Sequence, residues 1–122
     1  MKPIKLTIEG VNSFNEAQTL DFEAVGRNNL FCISGKTGAG KTTIFDSIML
    51  ALYGKSGKGD LADVVNLSRM TARVTFDFAA NGDFYSVERA IKCRREKDGN
   101  GAVTEKRAAS SECTLFKNGA PF

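Results

Sequence analysis

The sequence predicts an α/β fold in which a mixed sheet carries one helix and continues into an antiparallel β-subdomain. One observation is the order of elements after residue 29: an apolar run at 30–33, a glycine-rich loop, then apolar residues at helical spacing over 42–53. The other is an alternation of apolar and polar residues over 73–78 and 85–91. Continuous apolar runs are typical of strands covered on both faces, and alternation is typical of strands with one solvated face.

The N-terminal part predicts two antiparallel strands. Apolar residues alternate with polar ones over 4–8 and again over 19–23, and the segment 10–17 between them is polar and turn-like. The cluster at 26–29 predicts a turn before the apolar run.

The helix is expected to end at Gly54. After a glycine- and lysine-rich segment at 55–59, residues 61–70 are either irregular or a short helix; the pattern leaves both open.

Asn81-Gly82 predicts a tight hairpin turn. Residues 94–109 are expected to form a charged loop with its tip at 98–101, followed by a strand at 113–116. Asn118-Gly119 begins another turn, for which we expect no returning strand, so the chain is expected to be truncated.

Composition limits the classes of function. The 122 residues suit one small domain, and the net charge of +3 permits a nucleic-acid partner without requiring one. With no histidine, a self-contained Ser-His-Asp triad and a His-ligated metal site are excluded. Of the three cysteines, Cys32 lies in the apolar run and is expected to be a buried reduced thiol. No membrane span or secretory signal is evident, so the expected location is the cytoplasm.

The glycine-rich loop fits the pattern G-x-x-x-x-G-K-[ST] for phosphate binding. Glycines let successive backbone N–H groups point at phosphate oxygens, and the following helix adds its positive dipole end. Lys41 would place an ammonium between the β- and γ-phosphates, and the Thr42 hydroxyl would bind Mg²⁺. The expected phosphate-binding residues are Gly35, Lys36, Thr37, Gly38, Ala39, Gly40, Lys41, Thr42 and Thr43.

The sequence motifs restrict the class of phosphate-loop protein less tightly than they indicate phosphate binding. A GTPase should carry N-K-x-D, which is absent, and the D-x-x-G match at 98–101 falls at a hairpin tip. A small-molecule kinase remains possible. Asp77 follows an apolar segment but lies on the polar face of its strand, so we interpret it as a solvated strand residue and not as a magnesium ligand. No residue can be named as the base that activates the attacking water.

The segments 31–48 and 51–54 closely resemble the N-terminal ATPase segment of the SbcC family, SMC-like and ABC-type DNA-repair ATPases. The opening 10–14 and the strands at 74–78 and 85–89 are also similar. The resemblance implies a P-loop NTPase fold, with residues 1–122 forming the N-terminal lobe of an ATPase head, truncated before the glutamine loop and coiled coil.

The same resemblance implies that ATP and Mg²⁺ are the ligands and that the catalytic carboxylates come from a C-terminal lobe absent here. It also implies an ATP-dependent dimer with a second SbcC-like subunit, an SbcD-like nuclease partner and DNA as the substrate of the complex. Asn12 and Ser13 align with positions that contact nucleotide, and Val64 to Asn66 with a loop that lines the nucleoside. Asn12 can equally be interpreted as a polar turn residue.

A basic cluster lies in the segment expected to be a charged loop. Six basic residues, Lys92, Arg94, Arg95, Lys97, Lys106 and Arg107, stand against three acidic ones. Either this is a solvated loop, or it contacts the DNA backbone without sequence preference. Arg94, Arg95 and Lys97 are the candidate DNA contacts.

Overall fold

The computed structural model describes residues 1–11, 14, 16–22, 38–55, 61–66 and 68–122. Helix α1 spans Gly38–Tyr53, and a 3-10 turn spans Leu61–Val64. The strands are β1 Lys2–Glu9, β2 Gln18–Asp21, β3 Thr71–Ala80, β4 Asp83–Lys97, β5 Val103–Lys117 and β6 Ala120–Pro121. No helix in these ranges is long and apolar enough to cross a membrane.

The described strands form one six-stranded sheet with the order β2-β1-β3-β4-β5-β6, and every neighbouring pair is antiparallel. The predicted pairing of the two N-terminal strands is confirmed, with Leu6 opposite Leu20. The expected β-subdomain is continuous with them, because β3 pairs with β1 and places Phe76 opposite Leu6. The strand predicted at 30–33 and the turn at 26–29 lie outside the described residues.

The core lies between α1 and one face of the sheet. Alternation along β1 and β3 sends Leu6, Ile8, Val74 and Phe76 to the same side. They pack with these buried residues of the neighbouring elements: Leu50 and Ala51 of α1, and Val87 and Ile91 of β4. The opposite face is polar, and it pairs oppositely charged residues across β1 and β3, Lys5 with Asp77 and Glu9 with Arg73.

Helix α1 begins earlier than the sequence predicted. The apolar spacing indicated a start at residue 42, whereas the helix begins at Gly38. The pattern could not detect this, because glycine adopts helical backbone angles without adding an apolar side chain. The predicted end is confirmed: Gly54 has a φ of +74° and its N–H donates to the Leu50 carbonyl at 2.8 Å.

The predicted turn between β3 and β4 is confirmed. Asn81 and Gly82 both have positive φ, 54° and 84°, as a type I′ turn requires. This geometry matches the twist of the two strands, and it fixes a register in which Ala80 lies opposite Asp83.

The prediction of a charged loop at 94–109 was wrong. Strands β4 and β5 continue as a paired ladder to Lys97 and Val103. Strand pairing does not need apolar alternation where both faces are solvated, so polarity was a poor guide here. The tip is a turn in which the Asp98 carboxylate accepts from the Asn100 and Ala102 N–H groups at 2.8 and 2.9 Å. The D-x-x-G match is therefore a hairpin turn, as interpreted.

The expectation of no returning strand after Asn118-Gly119 was also wrong. Strand β6 pairs with the end of β5, and the Phe122 N–H donates to the Leu115 carbonyl at 2.8 Å. Two residues of strand are too few to produce a recognisable pattern. Both alternatives left open for residues 61–70 apply in part: the first four form the 3-10 turn, Val65 forms an isolated bridge with Val11, and residues 66 and 68–70 are irregular.

We predict that Phe76→Ala lowers the free energy of unfolding by about 3–5 kcal/mol, because it opens a cavity at the centre of the core. Phe76 is 0% exposed, whereas Phe84 on the other hairpin strand is 41% exposed. Phe84→Ala is the matched control and should cost less than about 1 kcal/mol. Urea denaturation measures both, and equal losses would contradict this account of the core.

Candidate functional site

The phosphate-loop residues divide into two groups. Gly35, Lys36 and Thr37 lie outside the described residues, whereas Gly38–Thr43 form the first turns of α1. Backbone N–H groups in the first turn of a helix have no partner within the helix, and they carry the positive end of its dipole. The backbone of residues 38–43 therefore has the helical arrangement that phosphate binding requires. Phosphate binding by these residues stays a prediction.

The opposite end of α1 is held by Arg89 of β4. Its guanidinium Nη2 donates to the Ala51 carbonyl at 3.0 Å, and it packs against Gly54, where an added Cβ would lie 3.2 Å from Nη1. A cation at a helix C-terminus also interacts favourably with the dipole. Arg89 therefore ties the phosphate-loop helix to the centre of the sheet.

Backbone hydrogen bonds join residues on either side of positions 12 and 13, just after β1. The Gly10 N–H donates to the Phe14 carbonyl at 2.7 Å, and the Phe14 N–H donates to the Val11 carbonyl at 2.9 Å. Gly10 has a φ of +74°, and an added Cβ would lie 2.5 Å from the Thr71 carbonyl oxygen. Only glycine fits there. Asn12 and Ser13 themselves lie outside the described residues.

The segment Val64 to Asn66 lies directly beside Gly10 and Val11. The Asn66 N–H donates to the Gly10 carbonyl at 2.7 Å, and Val65 bridges to Val11. Val64 and Val65 are each 1% exposed, so their side chains belong to the core. If this segment lines a nucleoside, its backbone must do so, together with Asn66.

Arg107 of β5 is a contact residue that the sequence did not reveal. Its Nη1 donates to the Arg69 carbonyl at 2.9 Å, and its Nη2 donates to the carbonyls of Val65 at 2.8 Å and Ala62 at 3.2 Å. In the sequence Arg107 was one of six charges in a basic cluster. No local pattern distinguishes an arginine that turns inward from one that is solvated.

The rest of the basic cluster remains at the surface. Arg94, Arg95 and Lys97 are exposed, and Lys106 lies 3.8 Å from the Glu96 carboxylate. Side chains alternate along β4, so Arg94 lies on the face opposite Arg95. The ladder is also irregular between Arg95 and Lys97. The three candidate DNA contacts therefore lie on one hairpin but not on one face, and their contact with DNA stays a prediction.

Asp77 faces the polar side of the sheet, where it accepts a hydrogen bond from the Ser86 hydroxyl at 2.6 Å. Its strand position and this partner agree with our interpretation of it as an ordinary strand residue. Within the described ranges, no three potential ligands among Asp, Glu and Cys come together as a metal site.

Two cysteines can be located. Cys113 is exposed, and Cys93 is half-buried. Burial raises the pKa of the Cys93 thiol, and the nearby Arg107 guanidinium lowers it in part. Cys93 is therefore held in the less reactive thiol form. The prediction for Cys32 falls outside the described residues.

The chain matches the family model described as an AAA domain over residues 5–119. Because that match spans nearly the whole sequence, the chain belongs to the AAA-domain family, and the predicted P-loop NTPase fold is confirmed.

Individual proteins similar to this chain identify a more specific group within that family. The SbcC subunit of the nuclease SbcCD is 42% identical in Bacillus subtilis over 75% of this chain, and 38% identical in Clostridium acetobutylicum over 93%. The Staphylococcus epidermidis protein of the same name is 35% identical over 97%. This confirms the resemblance to the SbcC family and favours it over a small-molecule kinase. The chain spans about a tenth of the length of these relatives, 9%, 10% and 12% respectively.

A solved SMC head domain from Thermotoga maritima is also similar. It is 23% identical with a TM-score of 0.48, and the match covers 100% of this chain and 39% of that chain.

We predict that Arg89→Met lowers the free energy of unfolding by about 1 kcal/mol. Losing a hydrogen bond to a charged group costs about 1.5–3 kcal/mol. Part of that loss is offset, because the substitution also removes the Arg89 Nε, which is buried without a hydrogen-bond partner. Chemical denaturation measures the change.

Arg94→Met is the matched control, because Arg94 is exposed on the same strand. It should change stability by less than about 0.5 kcal/mol. If Arg89→Met were no more destabilising than this control, Arg89 would not hold the helix as described.

Proposed function

We propose that residues 1–122 are the ATP-binding N-terminal lobe of an SbcC-like ATPase that drives a DNA-repair nuclease acting on double-strand ends and hairpins. The observation that carries this proposal is the complete phosphate-loop motif, whose second half forms the first turns of α1. The relatives named for the SbcCD nuclease support the assignment to this kind of ATPase.

In this proposal the loop binds the phosphates through its backbone N–H groups and through Lys41. The ammonium supplies a mobile positive charge between the β- and γ-phosphates, and Thr42 contributes its hydroxyl to Mg²⁺. Asn12 and Ser13 are proposed as further nucleotide contacts. Val11 and Phe14, the residues on either side of these positions, are joined by a backbone hydrogen bond just after β1.

Hydrolysis would need residues that lie elsewhere. We propose that a C-terminal lobe supplies the signature motif, the magnesium-binding aspartate and the catalytic glutamate. ATP would bind between two such heads, because each phosphate loop would face the signature motif of the second SbcC-like subunit. Tighter binding of ATP to the closed dimer would shift the population toward it, and hydrolysis would reverse the shift. An SbcD-like nuclease would respond to that movement in the cytoplasm.

DNA contact is proposed for Arg94, Arg95 and Lys97. All three are exposed near the tip of the long β4–β5 hairpin, so they can reach a phosphate backbone without displacing core residues. Contacts of this kind position a protein on DNA but carry no sequence information.

We predict that Lys41→Ala weakens binding of Mg²⁺-ATP by at least about tenfold, because it removes a charge-assisted interaction worth about 1.5–3 kcal/mol. Isothermal titration calorimetry on the 122-residue chain measures the affinity. Lys55→Ala is the matched control, since Lys55 is exposed just beyond the helix. Equal affinities of the wild type and Lys41→Ala would refute the phosphate-loop assignment.

We also predict that reversing Arg94, Arg95 and Lys97 to glutamate weakens DNA binding by the assembled ATPase head. The slope of log K against log salt should become less steep by about 0.9 for each phosphate that the protein no longer neutralises. Fluorescence anisotropy with a double-stranded end, measured over a series of salt concentrations, gives both quantities.

The control reverses Lys2, Lys5 and Lys55, which are exposed but lie away from the hairpin tip. It changes the net charge by the same amount, so it separates local contact from overall attraction. Unchanged DNA binding of the hairpin variant at low salt would remove the DNA-contact hypothesis.

A further inference from the structure

Strand β5 has a long edge that no other strand covers within the described residues. Its neighbour on one side is β4, and on the other side β6 pairs only with Phe116 and Lys117. The Phe122 N–H adds one hydrogen bond, to the Leu115 carbonyl. The edge over residues 107–114 therefore has no partner strand in the part of the chain that the structure describes.

Two hydrogen bonds show which backbone groups point to that edge. The Cys93 N–H donates to the Met70 carbonyl, so Cys93 directs its backbone groups away from β5. Its partner Ala109 is then in a non-hydrogen-bonded pair and directs its own N–H and carbonyl away from β4. Leu115 lies an even number of residues further along the strand, and its carbonyl accepts from Phe122 on the same side. The backbone groups that face the open edge therefore belong to Arg107, Ala109, Ser111 and Cys113.

The centre of this edge lacks the features that usually block the addition of another strand. Lysine, proline and bulges are common protections of an edge. Residues 108–111 are Ala-Ala-Ser-Ser, and the register of β5 with β4 is regular from Arg107 to Lys117. The Arg107 guanidinium is bound to the carbonyls of residues 62, 65 and 69, so it does not guard the edge. The middle of β5 is therefore open to pairing.

The charges at the two ends of this edge fit a second copy of the same strand. Lys106 and Glu112 are both exposed, and alternation along β5 places them on the same face. If two copies of β5 pair antiparallel about a two-fold axis at Ala109, each Lys106 lies opposite Glu112 of the other copy. Opposite charges that face each other across a ladder are favourable. In the same register Arg107 lies opposite Ser111, so their open N–H and carbonyl groups are paired as well.

Other two-fold registers fit less well. An axis at Ser111 would place Arg107 opposite Leu115, whose carbonyl already accepts a hydrogen bond. An axis at Ser110 would place Glu112 opposite an alanine, so the charges would not face each other. Only the first register both satisfies the open backbone groups at the centre of the edge and matches its charges.

We propose that the edge of β5 is an interaction surface for a second copy of this chain, which pairs with it antiparallel about Ala109 and joins the two sheets into one. This contact goes beyond the proposed function, because it uses neither the phosphate loop nor the ATP-dependent contact between heads. It therefore forms without nucleotide. Main-chain hydrogen bonds supply the affinity in strand addition, and the pairs of Lys106 with Glu112 set the register.

Sedimentation velocity on the 122-residue chain, without nucleotide and over a series of protein concentrations, measures this association. We expect a reversible dimer. Ala109→Pro should raise its dissociation constant at least about tenfold, because proline removes the central donor of the edge on both copies. The N–H of Ala109 does not point to β4, and proline is tolerated at such edge positions. Ala109→Ser is the matched control, since it keeps the N–H, and its dissociation constant should stay within about twofold.

The register has a separate test that is based on charge. Glu112→Lys should weaken the dimer at least about fivefold, since it places like charges opposite each other. Adding Lys106→Glu restores opposite charges, so the double variant should return to within about twofold of the wild-type dissociation constant. Both residues are exposed, so these variants provide the test even if circular dichroism shows that Ala109→Pro does not fold.

Three outcomes would overturn the proposal. The first is a wild-type chain that stays monomeric throughout the concentration series. The second is a dimer that survives both Ala109→Pro and Glu112→Lys, because the chains would then associate through another surface. The third is a double variant that dimerises no better than Glu112→Lys, because Lys106 would then not face Glu112. None of these measurements contains nucleotide, so none depends on the proposed binding of ATP.

Discussion

The packing of α1 against one face of the antiparallel sheet is the contact on which the other features depend. Leu50 and Ala51 lie against Leu6, Phe76 and their buried neighbours, and the removal of this apolar surface from water is the dominant favourable term in folding. The start of α1 carries the phosphate-loop residues, so the same packing sets where the helix N-terminus points. A small residue at 51 and a fully buried serine at 47 allow the helix to approach the strands closely.

Two arginines on the sheet donate hydrogen bonds to backbone carbonyls of the helix end and of an irregular segment. Arg89 bonds a carbonyl at the end of α1, and Arg107 bonds three carbonyls in the segment 61–69. Both serve the same physical need, because carbonyls at helix ends and in irregular segments lack partners of their own. Guanidinium suits this role, since it offers several donors in a fixed plane and keeps its charge when half-buried. Both arginines therefore form their hydrogen bonds with backbone carbonyls of a helix end or an irregular segment, and not with groups inside the apolar core.

Local chemistry made much of the fold predictable. The strands β1, β3 and β4 follow from alternation, and the β3–β4 turn follows from Asn81-Gly82, since these residues tolerate positive φ. The end of α1 follows from Gly54 for the same reason. The errors have local causes too. The charged composition of residues 94–109 is typical of a loop, and only the pairing of β4 with β5 shows that they form strands. Strand β6 is too short to show an alternating pattern.

The sequence by itself determined the phosphate-loop motif, the amphipathic strands and the family resemblance, because each depends on residue types at fixed spacing along the chain. Only the tertiary structure decided which charges are solvated and which are structural. Arg94 and Arg107 look alike in the sequence, yet one is exposed and the other lies against three carbonyls contributed by residues 38 to 45 positions earlier in the chain. The same holds for Val65 and Asn66, which contact Val11 and Gly10 although the two segments lie far apart along the chain. Such contacts depend on how distant segments pack, and no local pattern encodes them.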